Sequence, residues 1–163
     1  MNSRQAIKNT IQTADMVCGA YLGDLNDDEL MKRPHSGCNH LNWQIGHLIA
    51  SDHSMVNGCC PGALPELPAG FADKYSKETK DSNDKGAFYN KAELLEIHEK
   101  QRAAIFEKLD SLSDEELDAA APEEMQAYAA NVGSAFNMLG SHWMMHAGQW
   151  VVVRRELGKD IVI

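Results

Sequence analysis

His142 and His146 stand four residues apart in the run His142-Trp143-Met144-Met145-His146-Ala147-Gly148-Gln149. In a helix that spacing places two side chains on one side, one turn apart, where two imidazoles can converge on a single metal ion. The surrounding stretch, about Val132 to Leu157, has no proline and reads as one helix. Ala135, Met138, Met145, Val152, Val153 and Leu157 fall on or beside the histidine stripe, so the pair interrupts a face expected to be buried. Buried imidazoles need partners, and a metal ion is one way to supply them. Two core-edge imidazoles bonded to carbonyls or water fit the same pattern, and an HxxxH pair alone leaves both readings open. Gln149 extends the pair by about one turn, either as a partner of a ligand histidine or, the simpler reading, as a structural amide. No histidine follows a glutamate at the Glu-x-x-His spacing of a di-iron bundle. Trp143 occupies the glutamate position of the zinc-protease HExxH.

Positioning such a pair requires helices. Ile7, Ile11, Ala14, Cys18, Tyr21 and Leu25 keep a 3–4 spacing and predict an amphipathic helix from roughly Ser3 to Leu22. Asn26-Asp27-Asp28-Glu29 suits a single capped turn, after which Pro34 and Gly37 break the chain. A second helix is expected from about Asn39 to Asn57, with Leu41, Ile45, Leu48 and Met55 as its apolar stripe. His47 lies about 120° from that stripe, on a side shared with Trp43, Gln44, Ala50, Ser51 and Ser54. Residues 41–50 carry no charge, however, and a helix uncharged all round is usually buried, so His47 offers a third imidazole. Asp52, on the inner stripe, reads as a buried-edge ion-pair partner rather than a carboxylate behind the histidines. Pro61, Pro65 and Pro68 with Gly58, Gly62 and Gly70 make 58–84 a long connector, either covering a site or poorly ordered. A third helix runs from about Asn90 to Asp110, with Leu94, Ile97, Ala104, Ile105 and Leu112 inward and His98 and Gln101 at the edge. His98 there reads as a cavity-lining residue or, more simply, as a solvated edge histidine. Ser113-Asp114-Glu115-Glu116 resembles a capping box, and Gly158 closes the fourth helix, whose dipole Arg154 and Arg155 complement. Four long helices and no convincing strand predict an all-α bundle.

The chain has 163 residues and a net charge of −9. That length suits one domain over 1–163, and the charge disfavours a nucleic-acid partner. The start lacks a signal-peptide core and no run is apolar enough to span a membrane, so a soluble cytoplasmic protein is expected. Cys18, Cys38, Cys59 and Cys60 form no CxxC pair and read as free thiols, Cys18 in the core. His35, His40 and His53 are further histidines; His53, about 240° round the helix from His47, should point elsewhere. Trp43 and Trp143 are most simply packing residues.

Two blocks together carry a resemblance. Cys38-Asn39-His40-Leu41-Asn42-Trp43-Gln44-Ile45-Gly46-His47-Leu48-Ile49 resembles the second-helix signature of the DinB/YfiT-like metalloenzyme superfamily. The His142–Gln149 run, followed by Arg154-Arg155-Glu156-Leu157-Gly158, is similar to its fourth-helix signature, and the blocks lie about 95 residues apart, as in that family. The resemblance implies an up-down-down-up four-helix bundle with a DinB-like three-histidine site whose ligands are His47, His142 and His146. It implies a divalent cofactor, zinc or nickel first and iron or manganese next. Characterised relatives include transferases and an isomerase that use low-molecular-weight thiols such as bacillithiol or mycothiol. The expected activity is therefore thiol S-transfer to a small electrophilic substrate, with a non-catalytic metal-binding scaffold or a metal-dependent hydrolase as alternatives. No catalytic acid or base is identified. A homodimer, paired through an exposed apolar helix face, completes the expectation.

Overall fold

Each long helix begins where a side chain accepts a hydrogen bond from an otherwise unpaired backbone N–H. Asn2 caps α1 (Ser3–Leu22), His40 caps α2 (Leu41–Cys59), Asn90 caps α3 (Lys91–Ser111) and Asn131 caps α4 (Val132–Glu156). In α3 the cap is a full box, with Glu93 reaching back to the Asn90 N–H. Two short turns, Asp27–Leu30 and Asp114–Asp118, carry the same box through Asn26/Glu29 and Ser113/Glu116. Gly158 follows α4 with φ of 68°, the left-handed conformation that ends helices without a Cβ penalty. The predicted start of α2 at Asn39 moves to Leu41 because His40 Nδ1 takes the Trp43 N–H at 2.9 Å. This computed structural model describes residues 1–161. Among them no helix is long and apolar enough to cross a membrane, and all four cysteines are free, Cys18 buried.

Cross-helix partners define the topology. Asp15 on α1 pairs with Arg102 on α3, and Lys8 with Asp110, so these helices run antiparallel. Asp52 on α2 meets Arg102 while Asn42 near its start meets Tyr89 just before α3, so α2 and α3 run parallel. Gln44 meets Trp150 and Asp52 meets Trp143, so α4 runs against α2 and returns alongside α1. The chain is thus an up-down-down-up four-helix bundle. The long 58–84 connector spans the crossover between the parallel helices and is anchored by buried Leu64, Phe71 and Tyr75. A Cβ on Gly46 would lie 2.2 Å from the Tyr75 ring, so only glycine admits that anchor.

Two apolar clusters fill the bundle. One surrounds Trp143, Trp150, Phe71 and Tyr75; the other surrounds Phe136, Leu139, Ile105 and Leu117. Between them lies a polar layer in which Arg102 reaches Asp15 at 3.0 Å and Asp52 at 3.4 Å, and Trp143 Nε1 donates to Asp52 at 2.8 Å. Asp52 is the ion-pair partner expected of it, fully interior rather than at an edge. His98, expected at a solvated edge, instead packs on the Trp143 ring at 4.6 Å and lies 3.2 Å from the Arg102 guanidinium. Gln101 is buried too and donates to the Pro65 carbonyl.

The buried face of α4 also differs from expectation. Its inner residues are Ala135, Phe136, Leu139, Gly140, Trp143, Ala147, Trp150 and Val153, with His146 beside them. Met145 and Val152, placed on the buried stripe by periodicity, are exposed. The helix is apolar on nearly every side, so bulk and fit decide which side faces in: two tryptophans fill the interior, and Gly140 lets α1 approach. A Cβ on Gly140 would sit 2.7 Å from the Thr10 carbonyl oxygen. Gly140→Ala is therefore expected to force α1 and α4 apart at a cost of about 1–3 kcal/mol, read as a lower urea midpoint with unchanged slope.

Candidate metal centre

α4 supplies His142 and His146 one turn apart, and antiparallel packing brings His47 of α2 against them. Ring centroids lie 5.1 Å apart for His142 and His146, 5.3 Å for His47 and His142, and 5.8 Å for His47 and His146. One nitrogen from each ring lies within 4.8 Å of the other two. His47 and His142 are half-buried, whereas His146 is buried.

Around them the structure leaves little rotational freedom. Trp43, one turn before His47, stacks on it with centroids 5.0 Å apart and planes 10° from parallel. Its indole Nε1 donates to Thr79 Oγ1 at 3.0 Å, so the long connector reaches the site through this tryptophan. Gln44 locks the opposite ring. Its amide nitrogen donates to the Asn39 carbonyl at 2.8 Å and to Gln149 Oε1 at 3.0 Å. Its Oε1 lies 2.9 Å from Trp150 Nε1 and 2.9 Å from His146 Nδ1. An indole N–H can only donate, so the atom facing Trp150 must be the amide oxygen. That oxygen cannot donate, so His146 Nδ1 carries the proton and its Nε2 presents a lone pair. A carbonyl behind one ring nitrogen is how ligand histidines are commonly oriented.

Charge points the same way. Burial lowers the pKa of His47; burial and the neighbouring His47 lower that of His142 to about 4. Burial, followed by His142 and His47, lowers that of His146 to about 4. All three imidazoles are neutral near pH 7, the form in which histidine binds metal. Three neutral nitrogens leave at least one position open on a tetrahedral ion, so the residues present fit a divalent cation. Beside His142 a cavity of about 420 Å³ opens between α2 and α4, lined also by Ser51, Met55, Tyr128, Met138, Ser141 and Met145.

The other sequence candidates lie elsewhere. Gln149 accepts a hydrogen bond from Gln44, close to its structural reading. His53 pairs with Asn57, His35 accepts from the Gly37 N–H, and His40 is the α2 cap. Arg154 is almost completely enclosed, bound to the Tyr21 carbonyl, Asp24 and the Asp160 carbonyl. It clasps the helix end. Two residues escaped the sequence reading. Gln44 had a signal, since it lies one turn before His47 on the same side of an uncharged helix; Arg102 had none.

Buried His40 and half-buried His98 predict an acid response. Burial, then the Arg33 charge, pushes His40 to about 4; burial, then Arg102, pushes His98 to about 3. The folded chain holds both neutral where the unfolded chain, near pH 6.5, takes up protons. Their contribution is therefore complete above pH 6.5 and is lost as pH falls toward 4 and 3. Asp52, raised to about 6 by burial, acts oppositely because its folded form binds a proton more readily. His40→Asn keeps a capping group but does not titrate, so its urea midpoint should fall less between pH 7 and pH 5 than that of the wild type.

An up-down-down-up bundle with three converging imidazoles defines a class, and sequence comparison agrees. A model of the DinB superfamily matches residues 12–150, and the chain belongs to that superfamily. A conserved protein from Enterococcus faecalis, known from its crystal structure, is similar in fold. The TM-score is 0.71, with 98% of this chain and 99% of that one covered at 17% sequence identity. No curated protein matches the chain.

Proposed function

We infer that His47, His142 and His146 hold one divalent ion, zinc or nickel first and iron or manganese next, and that the protein transfers a low-molecular-weight thiol to a small electrophile. The observation that carries this reading is the convergence of three neutral imidazoles, with Gln44 holding the His146 lone pair toward the centre. When bound, such a cation lowers the pKa of a thiol or water that reaches it. The chain's own residues position. Trp43 and Gln44 fix two of the rings, and the cavity beside His142 receives the second reactant. In a substitution, the sulfur–carbon bond forms as the carbon–leaving-group bond breaks. The leaving group departs with the bonding pair and the thiol proton passes to solvent. The cavity lining contains no carboxylate or lysine. This favours a soft sulfur nucleophile over amide or ester hydrolysis, which gains from a placed general acid.

The test loads the protein with zinc and follows free-thiol loss with bacillithiol, mycothiol or cysteine and an aryl chloride. Consumption above the rate with His142→Ala supports transfer. Ester cleavage without thiol loss would replace it by a hydrolase, and stoichiometric zinc without either turnover by a binding scaffold. Gln44→Leu is expected to weaken zinc about 10–100-fold, the range for losing a partner behind a ligand histidine, as read by competition with a chromophoric chelator.

A further inference from the structure

We propose that Cys59, Cys60 and Met125 form a second metal site, one that takes a soft monovalent cation of the copper(I) class. The site lies apart from the histidine centre. Cys59 follows His47 by twelve residues on α2, about 18 Å along the axis at about 1.5 Å per residue. The cavity that the two cysteines line shares no residue with the one beside His142.

The backbone presents both thiols to one space. Cys59 is the last residue of α2, whereas Cys60 leaves the helical conformation at φ −136° and ψ 81°. The offset of about 100° between helical neighbours therefore does not separate their side chains. The Cys60 N–H donates to the Val56 carbonyl at 2.7 Å, and the Ala63 N–H returns to the Cys60 carbonyl at 3.0 Å. Between them stand Pro61 and Gly62, the glycine at φ 74°, the pairing that makes a type II turn. Helix end and turn thus fix the cysteine pair from both sides. Both half-buried residues line a cavity of about 490 Å³ where the end of α2 meets α3 and the start of α4.

A third sulfur completes the set. Met125 is buried, with its Sδ 3.9 Å from Cys59 Sγ. Gly58 leaves room for it, since a Cβ there would stand 2.4 Å from the Met125 methyl carbon. With metal–sulfur bonds of about 2.3 Å, two ligand sulfurs stand about 3.8 Å apart at tetrahedral corners and about 4.0 Å apart at trigonal ones. The observed spacing already suits two sulfurs on one ion. Thiolate and thioether together select copper(I), whereas zinc draws its ligands from thiolate, imidazole and carboxylate. Binding releases one proton from each thiol and leaves the copper monovalent, so the filled site carries one negative charge. Lys108 on the cavity wall offers the counter-charge, partly offset by Glu116.

The test equilibrates the full-length protein anaerobically with copper(I), ascorbate and excess bicinchoninate, then reads the copper retained and its thiolate-to-copper absorption band. Wild type should hold one ion against the chelator. His142→Ala/His146→Ala should hold it equally, and so should Cys38→Ser. Cys59→Ser and Cys60→Ser should each lose both the ion and the band. Met125→Leu, a volume-conserving exchange, should weaken binding at least tenfold, with a cooperative urea transition confirming an intact bundle. No retained copper, retention in Cys60→Ser, loss in the histidine double variant, or full affinity in Met125→Leu would each overturn the assignment.

Discussion

Replacing His146 with alanine is expected to strip the protein of its divalent ion. Wild type purified without a histidine tag should carry about one equivalent of zinc, nickel, iron or manganese, because three ligands suffice for a catalytic-type site. His146→Ala leaves two imidazoles and also frees one acceptor position on Gln44, whose remaining partner there is the Trp150 indole. The loss in zinc affinity should exceed about 100-fold, beyond the range for residues that merely orient a ligand. His53→Ala serves as control, since His53 bonds Asn57 away from the cluster, and it should retain the metal. Elemental analysis reads the stoichiometry and chelator competition the affinity. Metal-free wild type that also refuses added zinc and nickel would show the three histidines to be packing groups.

The second large effect concerns the polar layer. Arg102→Met should destabilise the bundle by about 3–5 kcal/mol, the cost of breaking a buried ion pair from one side. Asp52 is completely enclosed and would keep only the Trp143 indole as partner, while Asp15 would lose its guanidinium. Neutralising the survivor should restore much of the loss. In Arg102→Met/Asp52→Asn the amide oxygen still accepts from Trp143 and no unpaired charge remains at that position. Urea unfolding of wild type, both single variants and the double variant forms the cycle. A single Arg102→Met as stable as wild type would show that the layer holds no net ionic interaction. The layer separates two apolar clusters that a continuous hydrophobic seam would join, which fits a role in fixing how the four helices register. That role predicts a broadened transition or lower m for the apolar replacement Arg102→Met/Asp52→Leu, even where its midpoint recovers.

Much of this molecule was readable from local pattern. Caps at Asn26 and Ser113 act through atoms three residues away, so short-range chemistry specifies them. The 3–4 spacing from Ile7 to Tyr21 specified the inner face of α1 because most of its other positions are polar. Residues 38–49 and 142–158 together carried the family and, through it, the three histidines that the fold brings together. Other features depended on contacts between helices. Periodicity failed on α4, which is apolar almost all round; Met145 and Val152 satisfy the pattern as well as Trp143 and Trp150 do. The choice came from tryptophan volume and from the Gly140–Thr10 approach, both properties of two helices packed together. His98 and Gln101 looked like edge residues because their partners, the Trp143 ring and the Pro65 carbonyl, lie far away in sequence. Beside the local Asn39 carbonyl, the role of Gln44 required three partners at once, His146, Gln149 and Trp150, that only antiparallel packing of α2 and α4 assembles. Sequence alone thus determined the helices, their ends and the residue types able to bind a metal, since these follow from interactions within a turn or two. Tertiary structure decided which faces are buried, which charges are paired and which imidazole nitrogen is free, since each depends on a partner from another helix.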